Sequence, residues 1–108
     1  MSEHEYKSAY VGEIGFIFEL HLILSFGGTL DGFTPYIIAK KPSGEDATWN
    51  AVVHDSPGCI IRYVTVEGDL DELGLYKAMP KLVETDSGTV IKQYYGRTFV
   101  FQVKDLFA

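Results

Sequence analysis

Leu70-Asp71-Glu72-Leu73-Gly74-Leu75-Tyr76 constrains the fold of this chain more than any other stretch. A Leu, a Gly four residues on and a Tyr two further on is the pattern of a tyrosine corner. In that device a Tyr opening a strand turns its hydroxyl back to the main chain of the loop just crossed, pinning an arch between two stacked sheets. The spacing of Leu70, Gly74 and Tyr76 therefore identifies an architecture, and no activity follows from it. It also decides how the flanks fold. Asp69 followed by Leu70 and Leu73 has the form of a helix start, but Gly74 and Pro80 break any long helix. At most one helical turn, near 69–73, is expected.

The remainder of the chain alternates with the same period of two. Phe16, Phe18, Leu20, Leu22 and Leu24 alternate with Ile17, Glu19, His21 and Ile23 in a long strand. A short edge strand over 10–14 precedes it. Strands over 35–40 and 47–54 follow, joined by Lys41-Pro42-Ser43-Gly44, a sequence suited to a type I turn. A strand over 59–66 places Ile61 and Tyr63 on one face and Ile60, Val64 and Val66 on the other. With both faces apolar, it is covered on two sides or faces a partner. Strands over 76–82, 89–95 and 97–104 complete the set, the last two forming one strand kinked at Gly96. Pro80 lacks a ladder donor, so its strand is an edge locally or bulged there. Seven or eight short strands separated by turns make an antiparallel β-sandwich. Residues 1–8 form a charged, flexible N-terminus, and 9–108 form a single domain.

A chain of 108 residues buries roughly two thirds of its unfolded surface, enough for one core without metal or disulfides. The net charge of −6 argues against binding nucleic acid, which needs Lys and Arg to displace counterions from phosphates, and against docking on anionic membranes. The longest apolar run, 16–26, is interrupted by Glu19, His21 and Ser25 and is too short to span a bilayer. Met1 to Lys7 lack the apolar core of a secretory signal. Cys59 is the single cysteine, so no intrachain disulfide forms, which suits a reducing cytoplasm.

Chemistry is hard to find. Glu67, Asp69, Asp71 and Glu72 invite a calcium reading, since hard cations take several carboxylate oxygens. The spacing is not that of an EF-hand loop, and a solvated loop with a capping Asp69 accounts for it. His4, His21 and His54 show no zinc spacing; Glu19 and His21 share a strand face on which they could pair. Cys59 leads a strand with no cue for activation and serves as a small hydrophobe. No nucleophile or phosphate-loop motif occurs. The expectation is a non-enzymatic domain with no metal and no cofactor.

Two surfaces remain. Ile60, Val64 and Val66 form a candidate protein-interaction face, whose strand is otherwise sandwiched inside. Trp49, Tyr94 and Tyr95 could stack on sugar rings, although a sandwich Trp is normally core and Tyr94 and Tyr95 point to opposite faces. Leu106-Phe107 is a small apolar tail that either docks on another subunit or frays.

The order of these motifs is itself informative. The Lys41-Pro42-Ser43-Gly44 hairpin, the Trp49 strand, Ile61-Arg62-Tyr63, the run from Gly68-Asp69-Leu70 to Gly74-Leu75-Tyr76, and Thr85-Asp86-Ser87-Gly88 follow one another over most of the chain. This resembles the small immunoglobulin-like domains of tailed-phage and prophage virion proteins, especially the N-terminal domain of phage baseplate upper proteins. Two departures are Pro80, at a place usually held by an apolar strand residue, and the long glycine-rich loop over 26–32. The resemblance implies an immunoglobulin-like sandwich and a structural role in the tail or baseplate. Its partners would be other virion proteins or a second copy of itself, and its location the virion, assembled in the host bacterial cytoplasm. It brings no catalytic residues. The alternative is a carbohydrate-binding module for host-surface glycans, resting on Trp49, Tyr94 and Tyr95.

Overall fold

The computed structural model describes residues 4–5, 8–24 and 27–107. Among them are ten strand segments and no helix: β1 His4–Glu5, β2 Ala9–Tyr10, β3 Ile17–His21, β4 Thr34–Lys40, β5 Asp46–Asn50, β6 Val52–Asp55, β7 Ile60–Val64, β8 Gly74–Asp86, β9 Thr89–Tyr95 and β10 Phe99–Lys104. They build the all-β sandwich expected from the alternation. One sheet runs β1-β10-β8-β4-β5, with β2 also on β10 and β9 also on β8; the other runs β3-β7-β6.

The sheets are antiparallel with one exception. β1 and β2 both pair with β10 in parallel, His4 beside Phe99 and Ala9 beside Val103. Part of the stretch expected to be loose thus belongs to a sheet; residues 1–3 and 6–7 lie outside the described residues. The edge strand expected over 10–14 is shorter, and the chain beyond it straps the molecule instead. Gly12 N–H donates to Leu70 O at 2.7 Å and Gly15 N–H to Thr65 O at 2.8 Å.

The expected strand over 47–54 is two strands. β5 pairs with β4 in the large sheet and β6 with β7 in the small one, and the chain crosses between layers at buried Ala51. A strand that changes sheets must bend, and Ala offers little bulk at the bend. Nothing in the apolar alternation of Trp49, Ala51 and Val53 signals this.

β8 is the spine of the large sheet. It pairs with β4 on one flank and with β9 and then β10 on the other. Pro80 sits in its middle, between the stretch paired with β10 and the stretch paired with β9. On that flank the strand is locally an edge, one of the two outcomes open from the sequence. Gly96 N–H donates to Pro80 O at 2.9 Å, and the missing return bond falls where β9 has just ended at Tyr95. On the other flank Pro80 stands opposite Ile37 within an unbroken ladder. The gap between β9 and β10 therefore absorbs the missing donor. Gly96 fits the gap because it has no side chain: a Cβ there would lie 2.4 Å from Pro80 Cγ.

Aromatic rings fill the space between the layers. Phe18 and Phe101 are fully buried with centroids 4.8 Å apart, and Tyr76 stacks on Phe101 at 5.1 Å. Burying such a ring contributes about 2–3 kcal/mol. Trp49 of β5 lies almost parallel to Tyr63 of β7, 5.1 Å away and tilted by 9°, so one stacked pair joins the two sheets. The Trp49 Nε1–H is buried without a hydrogen-bond partner among the described residues. Leaving a donor unpaired costs about 1–3 kcal/mol, which the stacking and the large buried area offset.

Candidate interaction surfaces

The β4–β5 hairpin and the arch leading into β8 hold each other side chain by side chain. Tyr76, fully buried at the start of β8, accepts the Glu72 N–H on its hydroxyl at 3.1 Å. Beneath it Leu70 is buried in the core. Gly74 has φ +123° and stands where a Cβ would meet the Pro42 ring at 3.1–3.2 Å, so both conformation and space demand glycine. Lys41 is buried, and its ammonium bridges Asp71 Oδ1 at 2.8 Å and Gly68 O at 3.1 Å. Ser43 donates both its N–H and its hydroxyl to the Glu72 carboxylate at 2.9 Å.

Three of the four acidic residues of the loop, Asp69, Asp71 and Glu72, each hold a different partner. Asp71 serves Lys41 and Glu72 serves Ser43. Asp69 accepts the Tyr63 hydroxyl at 2.5 Å and the Val66 N–H at 2.8 Å. Asp69 caps no helix here; it closes the turn that precedes the arch. Among the described residues no three His, Cys, Asp or Glu side chains converge on a possible metal position. The hydrogen bond to Lys41 holds the Asp71 carboxyl below its usual range, and the same bond raises the Lys41 ammonium. Burial, followed by the bond to Asp69, pushes the Tyr63 phenol far up.

The outer face of the small sheet carries the expected interaction residues in a different arrangement. Val64 and Val66 are exposed and Ile60 is half-buried, so this face is not sandwiched inside. Arg62 projects between Ile60 and Val64 and divides them. Its guanidinium bonds Glu19 Oε2 at 2.7 Å and lies 3.4 Å from His54 Nε2. That bond lowers the Glu19 carboxyl. Glu19, which shares its strand face with His21, thus pairs across the strands with Arg62. The apolar end of the face is Val64 with Ile17, directly opposite on β3 and also exposed. Ile17 was missed in the sequence because it reads as the outward half of an alternating strand.

The three rings considered for glycan stacking do not share a surface. Trp49 is only 3 % exposed and lies in the core. Tyr94 is half-buried and meets Phe33 edge-on, with centroids 5.8 Å apart. Tyr95 points to the other side of β9 and is exposed, its hydroxyl accepting from Gln93.

A cleft of about 450 Å³ opens between the layers at the other end of the molecule. The chain after β3, residues 22–24, forms one wall and the β9–β10 junction the other; Leu82 and Pro80 line it from β8, and the exposed Glu19, His21 and Arg97 supply its charged and polar lining. Beside it the β8–β9 hairpin runs past the end of β4, whose last partner on β8 is Val83. Residues 85–93 of this arm are exposed throughout, Val90 and Ile91 included.

Two stacked β layers, with an arch held by a phenol at one end and a cleft at the other, define an all-β sandwich. Among solved structures, the fold is similar to the N-terminal domain of phage TP901-1 ORF48. The TM-score is 0.66 at 17% sequence identity, covering 94% of this chain and 84% of that one. At that identity the likeness is one of fold. No known family and no curated protein matches the sequence.

Proposed function

We propose that this chain is a non-enzymatic structural domain of a phage or prophage particle, associated with its tail or baseplate. It contacts neighbouring subunits through strand edges and loops. The observation that carries this reading is the sharing of one fold, over nearly the whole chain, with a domain of a phage protein. The motif order read from the sequence points the same way. Edge strands supply unpaired N–H and C=O groups on which another chain can add a strand, and β1, β2, β5 and β9 of the large sheet and β3 and β6 of the small one end the ladders here. The apolar end of the small sheet, Ile17, Val64 and Val66, is the first protein contact to suspect, with Ile60 on the far side of Arg62.

The test is location. Antibody to this chain should label density-purified particles released by a producing host, and its absence from every particle fraction overturns the reading. A second measurement addresses the surface. Val64→Asp should dissociate the chain from its neighbours, read as loss of co-sedimentation with particles, while unfolding stays cooperative. A variant that unfolds instead would assign the face to the core.

A further inference from the structure

Two features at opposite ends of β10 fit one another. Beyond Lys104 the chain presents Leu106 and Phe107 to solvent, Phe107 with no shielding at all at 103 % relative exposure. Its backbone is held at φ +66°, a conformation that bulky residues rarely adopt. Asp105 caps this turn by accepting the Leu106 N–H at 2.9 Å, so the ring is presented by a structured turn next to a carboxylate. At the start of β10, Phe99 lines the 450 Å³ cleft, with Arg97 at its mouth. β10 spans six residues, roughly 20 Å at the usual rise of a strand. The knob of one molecule therefore cannot reach its own cleft.

We propose that the chain associates head to tail with a second copy of itself. Leu106 and Phe107 of one molecule enter the cleft of the next, and Asp105 meets Arg97. Charge complementarity favours this occupant: an acidic, apolar turn faces a largely apolar slot in which Arg97 answers Asp105, while Glu19, which also lines it, is already paired with Arg62. The cleft volume is in the range that accepts a compact apolar group. Because the two surfaces differ, the contact is heterologous and repeats from molecule to molecule, into a ring or a row. A two-residue knob buries far less than a standard interface, so pairs are weak in free solution and gain strength once copies are tethered side by side. The inference rests on the assembly reading above and names the partner.

Dilution of the isotopically labelled chain from about 1 mM to about 10 µM, a range suited to a weak complex, should move the resonances of Leu22, Leu24 and Tyr94. Phe107→Ala should abolish this dependence, and Arg97→Glu should weaken association about tenfold or more, as loss of an interface anchor does. Both residues are exposed, so each variant keeps the spectrum of a folded chain. The decisive experiment mixes them. Labelled Phe107→Ala, with its cleft intact, should shift at the cleft when unlabelled Arg97→Glu, with its knob intact, is added. Labelled Arg97→Glu should stay silent at its own cleft and shift only around Leu106 and Phe107 when unlabelled Phe107→Ala is added. A Phe107→Ala chain that associates like the parent, or a silent first titration, overturns the proposal. Absence of the chain from particles would instead sink the assembly reading and leave a positive titration standing.

Discussion

The two ends of this sandwich are built on opposite plans. At the arch, the β4–β5 hairpin and the loop before β8 share a buried ammonium, two carboxylates, a serine, a proline ring against a glycine, and a phenol. At the other end the β8–β9 arm leaves its apolar Val90 and Ile91 in solvent, and the layers part around a cleft. The first end satisfies its polar groups within the chain. The second leaves strand edges and apolar side chains available to something else. The side-chain bonds that hold distant segments together are concentrated at the arch, while the far end leaves the arm exposed and the cleft open.

Substitutions can break this contrast. Tyr76→Ala removes a fully buried ring and the acceptor for Glu72 N–H, and should cost about 3–5 kcal/mol, read by chemical denaturation. Gly96→Ala drives a methyl into the Pro80 ring, which cannot rotate away, and should cost about 1–3 kcal/mol; an unchanged midpoint would mean that the β9–β10 junction is slack. Lys41→Met keeps the stem of the side chain but unpairs Asp71, which is half exposed, so the loss is about 1 kcal/mol. Its pH dependence is more telling. Asp71 titrates below its usual value when folded, so the pair stabilises above the unfolded carboxylate range and fails as pH falls through the folded value. Lys41 titrates above its usual value, so the same pair fails again as pH rises through that point. Urea midpoints of the parent and Lys41→Met should therefore differ at neutral pH and converge toward both extremes. Val90→Thr on the arm should change stability by less than about 0.5 kcal/mol; a larger loss would show that the arm packs as tightly as the arch.

The sequence revealed local devices and hid distant ones. The arch was legible because Leu70, Gly74 and Tyr76 lie within one turn and the following strand, and each alternating strand announced its own faces. Lys41 gave no sign of reaching Asp71, thirty residues on, since a lysine beside a turn looks solvent-bound. The change of layer at Ala51 was hidden because alternation continues unbroken across the bend. For Pro80 the sequence left two outcomes open, a local edge or a bulge, for a related reason. Whether a proline is tolerated depends on the flanking strand, and only the pairing shows that β9 ends one residue short of it. On the small sheet, Arg62 split the expected apolar face, because two-residue periodicity says which side chains share a side but not which of them bond across it. The cleft needed both layers in place before it existed.

β8 takes part in three of the ladders of the larger layer, with β4, β9 and β10, and its geometry has a mechanical consequence. A pull on the tip of the arm acts along the strand, while the hydrogen bonds to β4 lie across it. The seven residue pairs from Thr34–Val83 to Lys40–Lys77 are then loaded together in shear and cannot peel apart one by one. Tension entering at the hairpin spreads over the whole ladder and arrives at the latched arch, so the strand resists a pull along its own axis better than one across it.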